Sequence, residues 1–161
     1  MEKETEPASE RLTLRKSAKL RHKSLVDRVF SGRRNIYDFP LRLSWNMLDD
    51  EELAANFRDH VPDRVGPVQI MIVVPKKKRR RAVDRVRMRR LIREAYRLQQ
   101  GPLRRAVESN PRIRTLSVAF IYLDTAGSDF ATISRKMGSL LARLEKKIER
   151  ALTDNDTPPA P

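Results

Sequence analysis

The sequence predicts a single-domain α+β fold, an α/β sandwich in which helices pack against one sheet. Its 161 residues suffice for one ordinary domain with one hydrophobic core. Two stretches, 68–74 and 115–123, are almost wholly apolar and rich in β-branched residues, which is typical of central strands. A long amphipathic helical pattern lies between them. A strand, a helix and a second strand in this order predict a βαβ crossover that carries the helix.

The predicted element order is helix, strands, helix, strand, helix. Residues 23–31 form the first helix, because four apolar side chains share one face and Gly32 is placed to end it. Apolar and polar residues then alternate over 41–47, which is the period of a half-buried strand. The polar positions of that strand, including Arg42 and Ser44, therefore face solvent or a ligand.

The remaining segments set the predicted limits of the domain. Residues 49–66 combine a charge run with prolines and are interpreted as a loop insertion with at most a helical turn. A last helix with apolar residues at helical spacing begins after Asp129. Residues 1–18 and 153–161 lack apolar periodicity, so we expect them to be disordered on either side of a domain at 19–152.

Charge is concentrated in one part of the chain. The net charge is +14, from 35 basic and 21 acidic residues. The segment 74–97 alone holds twelve Lys or Arg and two acidic residues, a net +10. This concentration is typical of a surface that binds nucleic acid. A membrane-surface helix would need a large apolar face left over for lipid, and no apolar run is long enough to span a membrane.

The helix within this segment has two distinct faces. Met88, Ile92 and Ala95 form an apolar stripe that would face the sheet. A second stripe repeats arginine every four residues, at Arg85, Arg89, Arg93 and Arg97, with Arg90 beside it. A solvated charge run is the ordinary alternative, but such runs usually mix signs. Arginine forks bind phosphate in a bidentate manner, so we predict contact with nucleic acid. The preceding basic run at 76–81 is less specific, because such runs also act as localisation signals or tethers.

Other functional classes have weaker support in the sequence. There is no cysteine, which excludes a disulfide framework and cysteine-based zinc sites. No catalytic motif is present. The carboxylates at 49–52 are more typical of a mobile loop than of a divalent-ion site, although a nuclease acting alone would use them to bind metal. A general RNA-binding or ribosome-associated protein remains the main alternative to the function described next.

The stretch "KKKRRRAVDRVRMRRLIREAYR" closely resembles the signature of the bacterial ribonuclease P protein subunit. Ten positions match: Ala82, Val83, Arg85, Arg87, Arg89, Arg90, Arg93, Glu94, Ala95 and Tyr96. The opening helix and first strand, "LRHKSLVDRVFSGRR" and "FPLRLSW", also resemble the family, so similarity covers roughly 19–150. Two positions depart from it: Val86 replaces the family's Asn, and Val26 replaces a common aromatic residue.

The resemblance implies a cofactor protein for a ribozyme. Its partners would be one ribonuclease P RNA per protein and precursor tRNA, without a membrane, in the cytoplasm. The RNA subunit would catalyse removal of the 5′ leader, with Mg²⁺ acting mainly through the RNA, and the protein would have no catalytic residue. The family's crossover is left-handed, against the general rule. Leader contact would fall on Phe30, Arg42 and Ser44. The residues predicted to bind RNA are Lys76, Lys77, Lys78, Arg79, Arg80, Arg81, Arg85, Arg87, Arg89, Arg90, Arg93 and Arg97.

Overall fold

The structure, a computed structural model, describes residues 14–58, 60–62 and 65–156, and side chains as far as Thr153. A 3₁₀ turn at Lys16–Ala18 precedes the first helix. The helices and strands that follow are α1 Lys23–Ser31, β1 Asn35–Asp38, β2 Leu41–Leu48, α2 Asp50–Asn56, β3 Val68–Val73, α3 Ala82–Gln99, α4 Gly101–Glu108, β4 Thr115–Tyr122 and α5 Phe130–Asp156.

The strands form one mixed sheet in the order β1-β2-β4-β3. Strands β1 and β2 pair antiparallel, as do β2 and β4, whereas β3 and β4 are parallel. The parallel pair is joined by a connection that contains α3. The predicted α+β class and the crossover that carries the basic helix are therefore confirmed, and the left-handed sense of the crossover stays a prediction.

One face of the sheet is apolar and fully covered. Helix α5 contacts α3, β1 and β2 there, and α3 contacts β3. Alternate β4 side chains, including Phe120 and Tyr122, are completely buried in this layer. The rings of Tyr96 and Phe120 lie 5.7 Å apart, and burial raises the pKa of Tyr96. Trp45 of β2 and Tyr122 of β4 are both buried here.

The opposite face of the sheet is smaller, and α1 and α2 lie over it. Leu25 and Val29 of α1 and Leu53 of α2 pack with Ala119 and Ile121 of β4. Those two β4 residues pair with Ser44 and Arg42 of β2. Side chains paired directly across strands share a face, so the polar positions of β2 lie on the α1 side.

The region before α1 differs from the prediction. Residues 14–18, expected to be disordered, belong to the fold, because Leu14 packs against the main core. The Ser17 carbonyl accepts a hydrogen bond from the Gly66 N–H at 3.1 Å. A Cβ at Gly66 would lie 2.5 Å from that oxygen, so only glycine fits this approach. Residues 1–13 lie outside the described residues.

The insertion at 49–66 is more helical than predicted, because α2 covers seven residues and not a single turn. Asp49 caps α2: its Oδ1 accepts from the Glu52 N–H at 2.8 Å, and the Glu52 Oε1 accepts from the Asp49 N–H at 3.3 Å. This reciprocal capping box stabilises the first turn. Asn56 at the other end joins α2 to α1, since its Nδ2 donates to Ser24 Oγ at 2.7 Å and its Oδ1 accepts from Arg28 Nε at 2.8 Å.

Further differences concern short or terminal elements. Strand β1 and helix α4 have no counterpart in the predicted order. Helix α5 continues to Asp156, into the tail expected to be disordered from residue 153, and residues 157–161 lie outside the described residues. Within the described part of the chain, each helix is too short or too polar to cross a lipid bilayer.

Candidate nucleic-acid interface

The basic run before α3 is held in a defined turn. The Pro75 carbonyl accepts from the N–H groups of Lys78 and Arg79, at 3.0 and 3.1 Å. Arg79 Nη1 donates to the Thr125 carbonyl at 2.9 Å, which ties the turn to the segment after β4. Arg85 Nη1 donates to the carbonyls of Arg80 and Arg79, at 2.7 and 3.1 Å. The run is therefore a fixed edge of the protein.

Three of the arginines predicted to bind RNA have partners within the protein. Arg79 and Arg85 hold the turn, and Arg79 also lies 3.6 Å from the Asp84 carboxylate. Arg97 donates to both carboxylate oxygens of Glu94, at 2.9 and 2.6 Å. The hydrogen bond from Arg97 lowers the pKa of Glu94, and the same bond raises the pKa of Arg97. These side chains shape the surface and have fewer donors left for a ligand.

The other nine side chains predicted to bind RNA have no partner among the described residues. None of them forms a hydrogen bond or ion pair with the described part of the chain, and they range from half-buried to exposed. They are Lys76, Lys77, Lys78, Arg80, Arg81, Arg87, Arg89, Arg90 and Arg93. We call the four on α3, Arg87, Arg89, Arg90 and Arg93, the arginine face.

The arginine face adjoins the β3 edge of the sheet. Arg89 and Arg93 line a concavity of about 250 Å³ together with β3 and with the segment before α1, including Lys19 and Arg21. That segment follows the strand edge, since the Leu20 N–H donates to the Ile70 carbonyl at 2.8 Å. Further basic groups and an apolar floor thus extend the arginine face beyond its own helix.

Two α3 residues near the arginine face differ in exposure: Val86 is at the surface and Tyr96 is buried. Val86, where the resembling family has Asn, is 36% exposed. Its isopropyl group can form neither a hydrogen bond nor a metal contact. Tyr96, at the margin of the arginine stripe in sequence, is buried and packs on Phe120, so it is a core residue and cannot stack on a base.

The residues predicted to contact the leader are only partly accessible. Phe30 on α1 is 43% exposed. Arg42 is half-buried, and its Nε is enclosed without an acceptor among the described residues. Ser44 is only 2% exposed, and its hydroxyl donates to Asn35 Oδ1.

Comparisons with known proteins all indicate the same family. The sequence profile of the family described as Ribonuclease P matches residues 14–145, more than half of the chain. The chain belongs to the ribonuclease P protein family. A "Ribonuclease P protein component" of Porphyromonas gingivalis is 28% identical over 152 residues, which are 94% of this chain and 99% of that protein.

Proteins of the same name from two other bacteria have higher identity over shorter stretches. That of Chromohalobacter salexigens is 35% identical over 89 residues, 55% of this chain and 62% of its own length. That of Chlorobaculum tepidum is 35% identical over 104 residues, 63% of this chain and 62% of its own length. Membership of this family implies a protein subunit of ribonuclease P, a tRNA-processing ribonuclease, with an RNA partner.

The structure also presents aromatic side chains that the sequence did not single out. Tyr37 in β1 and Phe39 in the turn before β2 are 57% and 61% exposed. Tyr37 pairs directly with Arg42, so the two side chains lie on the same face of the sheet. The available signal was the aromatic pair in "NIYDFP", but it becomes informative only once β1 is known to be a strand.

Three of the four acidic residues at 49–52 have a structural use. Asp49 and Glu52 form the capping box of α2, and the Asp50 carboxylate lies 3.8 Å from Arg114 Nε. Across the described residues, no three His, Asp or Glu side chains are placed to hold a metal ion together.

Proposed function

We propose that this chain binds ribonuclease P RNA through the arginine face and contacts the 5′ leader of precursor tRNA on the α1 side of the sheet. In this way it assists endonucleolytic removal of the leader, which gives mature tRNA 5′ ends. One protein binds one RNA, in the cytoplasm. The observation that carries the proposal is the arginine face itself, an ordered helix with four arginines that have no partner in the described protein.

The physical argument is electrostatic. Like charges three and four residues apart on a helix repel by a few tenths of a kcal/mol per pair, and no carboxylate of the described residues forms an ion pair with these four arginines. Phosphates offset them on binding and release counterions from the RNA. The fixed basic turn at 76–81 continues this surface from the start of α3. A rigid array of cations loses less conformational entropy on binding than a mobile tail.

The leader contact is proposed for the open part of the α1 side of the sheet. Arg42 supplies a cation, and Tyr37 opposite it supplies a ring on which a base can stack. Phe30 adds a second exposed ring on α1. Ser44 lies among these residues but is bonded to Asn35, so its role is to orient the Asn35 amide toward the leader.

Catalysis is assigned to the RNA subunit, with Mg²⁺ acting mainly through the RNA. The support from this chain is that three of the four acidic residues at 49–52 serve in a helix cap or an ion pair: Asp49, Asp50 and Glu52. The protein contributes affinity, orientation and charge neutralisation. Its arginines reduce the repulsion between two RNAs that both carry dense negative charge.

The test of the arginine face is the salt dependence of binding to ribonuclease P RNA. We expect the Arg89→Gln/Arg93→Gln variant to lower the log-log salt slope by about 1.4 to 1.8, because each lost phosphate contact removes roughly 0.7 to 0.9. The matched control is Arg105→Gln/Arg135→Gln, which removes the same charge from exposed positions on α4 and α5. Equal slopes for the two variants would contradict the proposal.

The test of the leader contact is the ratio of the affinities of the holoenzyme for leader-bearing and mature tRNA. Alanine at Tyr37, Arg42 or Phe30 should reduce this ratio while leaving mature tRNA affinity unchanged. Phe130, which is also partly exposed but lies at the start of α5, supplies the control substitution. An unchanged ratio for the first three variants would rule out this leader site.

A further inference from the structure

A second group of cations surrounds a concavity at the β1 edge of the sheet. We call it the β1-edge concavity; it has a volume of about 420 Å³ and is lined by Arg33, Arg34, Asn35, Trp45, Lys147 and Arg150. Strands β1 and β3 are the two edges of the sheet, and the arginine face adjoins β3. The concavity therefore lies on the other side of the molecule from the proposed ribonuclease P RNA surface.

Among the side chains that the structure describes, no carboxylate explains why the four cations of this concavity lie close together. Arg33, Arg34, Lys147 and Arg150 are all exposed. None of them pairs with a carboxylate whose side chain the structure describes. The guanidinium of Arg34 instead lies over the Trp45 ring, 4.8 Å from its centroid. That cation–π contact fixes the group without neutralising its charge.

Two neighbouring cations of α5, in contrast, have partners within the protein. Lys136 Nζ donates to Asp38 Oδ1 at 3.0 Å, and Arg143 Nη1 donates to the Tyr37 carbonyl at 2.8 Å. These two bind β1. Lys147 and Arg150 follow on the same helix and lie beside Arg33 and Arg34, which precede β1. The helix dipole does not explain them, because it acts within the last turn and α5 continues to Asp156.

The backbone supplies an independent observation at the same place. Arg33 has a φ of 56°, in the left-handed region that residues other than glycine rarely adopt. Such strained conformations are concentrated at functional sites. Here this conformation sets the direction in which the chain leaves α1, with Arg33 and Arg34 both on the rim of the concavity.

We propose that the β1-edge concavity binds phosphates of a second RNA segment, so that the protein contacts RNA at both edges of its sheet. This rests on the proposed function only in the identity of the RNA. The Trp45 ring and the Arg34 plane form one wall, and Lys147 and Arg150 form the other. Phosphodiester oxygens are the acceptors that such paired guanidinium and ammonium groups bind best.

The test compares three double variants of α5 in the full chain. Lys147→Gln/Arg150→Gln should lower the salt slope for binding to ribonuclease P RNA by about 1.4 to 1.8. Arg135→Gln/Lys146→Gln, with the same charge change elsewhere on the helix, should leave the slope unchanged. Lys147→Arg/Arg150→Lys, which keeps both charges, should restore it. Circular dichroism and the thermal midpoint confirm that each variant folds.

A second arm identifies the source of the phosphates. An unchanged slope for the RNA subunit, with weaker binding of the holoenzyme to precursor and mature tRNA alike, assigns the concavity to the body of the tRNA. Wild-type slopes and tRNA affinities in Lys147→Gln/Arg150→Gln would overturn the proposal. If the wild-type protein binds other RNAs but not ribonuclease P RNA, the proposed function fails. The same comparison of variants on those RNAs then still shows whether the β1-edge concavity binds RNA.

The single tryptophan provides a local readout. Trp45 lines the concavity, so saturating RNA should change its fluorescence in the wild-type protein and in Arg89→Gln/Arg93→Gln. The change should be lost in Lys147→Gln/Arg150→Gln. An emission spectrum that is the same in all three proteins with and without RNA would count against binding at this edge.

Discussion

The two faces of the sheet use the same strands for different purposes. On the α3 and α5 side, alternate residues of β2 and β4 are apolar and buried, and they form most of the core. On the α1 side the same strands present Arg42, Ser44 and Asn46, and a smaller apolar cluster fills only part of the space. One face provides stability, and the other leaves polar groups and exposed rings for a ligand.

The short strand β1 shows this division between adjacent residues. Asp38 faces α5 and bonds to Lys136, whereas Tyr37 lies on the other side beside Arg42 and is exposed. Because side chains alternate across a strand, the chain can change a ligand contact at one position without altering the core at the next. Substitutions on the two faces should therefore separate stability from RNA function.

The largest effect on stability is expected for Phe120→Ala. This ring is completely buried between the sheet and α3 and packs on Tyr96. Its removal should lower the free energy of unfolding by about 3–5 kcal/mol. Chemical denaturation of both proteins measures the difference. A loss below about 1 kcal/mol would mean that this face is not the main source of stability.

A smaller loss is expected for Ser44→Ala, on the α1 side. The hydroxyl is buried and donates to Asn35 Oδ1, so its removal leaves a part-buried acceptor unsatisfied. We expect a decrease of about 1–2 kcal/mol in the free energy of unfolding. Asn35→Ala should give a similar decrease, and the double variant should be less destabilised than the sum. Strict additivity would show that the two side chains are not coupled.

The Asp38–Lys136 ion pair should contribute less again, with a defined pH dependence. Partial burial disfavours the charged form of Asp38, but hydrogen bonds from Ser139 and Lys136 and attraction to Lys136 and Arg143 outweigh it and lower its pKa. The stabilisation is therefore fully present above the unfolded pKa of roughly 4, and it is lost as pH falls through the lower folded pKa.

We accordingly expect Asp38→Asn to lower the free energy of unfolding by about 0.5–1 kcal/mol at neutral pH. The difference from the wild-type protein should shrink at acidic pH, below roughly pH 4. Denaturation at a series of pH values provides the measurement. A difference that grows as the pH falls would contradict the assigned direction of the pKa.

The smallest effect on stability is expected for Tyr37→Ala. The ring is 57% exposed on an edge strand, so the free energy of unfolding should change by no more than about 0.5 kcal/mol. The preference of the holoenzyme for leader-bearing tRNA should nevertheless fall. Loss of stability without loss of leader preference would place Tyr37 with the structural residues and remove the contrast with Asp38.

The sequence predicted the long and strongly patterned elements well. Helix α1 was predicted at its observed bounds, and β2, β3 and β4 differ from prediction by one residue at most at either end. Strand β1 was missed because its four residues show no clear alternation. Helices α2 and α4 had signals that were not used: the Asp49 to Glu52 capping spacing, and a proline near the first turn of α4.

The site was predicted as a set of basic residues, and the structure divides that set. Spacing identified the arginine stripe, but it could not show that Arg85 bonds to the carbonyls of the preceding turn or that Arg97 pairs with Glu94. Those contacts depend on how the turn folds back and on which rotamers face each other. The β1-edge concavity could not be predicted at all, because Arg33 and Lys147 are brought together only by the packing of α5 on β1.

The most direct test of the central claim is cleavage of a leader-bearing precursor tRNA at low magnesium. The protein alone, a bacterial ribonuclease P RNA alone and the mixture are compared under identical conditions. We predict cleavage at the mature 5′ end only in the mixture, or much faster there, because the protein offsets phosphate repulsion that magnesium otherwise screens. Cleavage by the protein alone, or no gain in the mixture, would contradict the account, and the latter would favour a general RNA-binding protein.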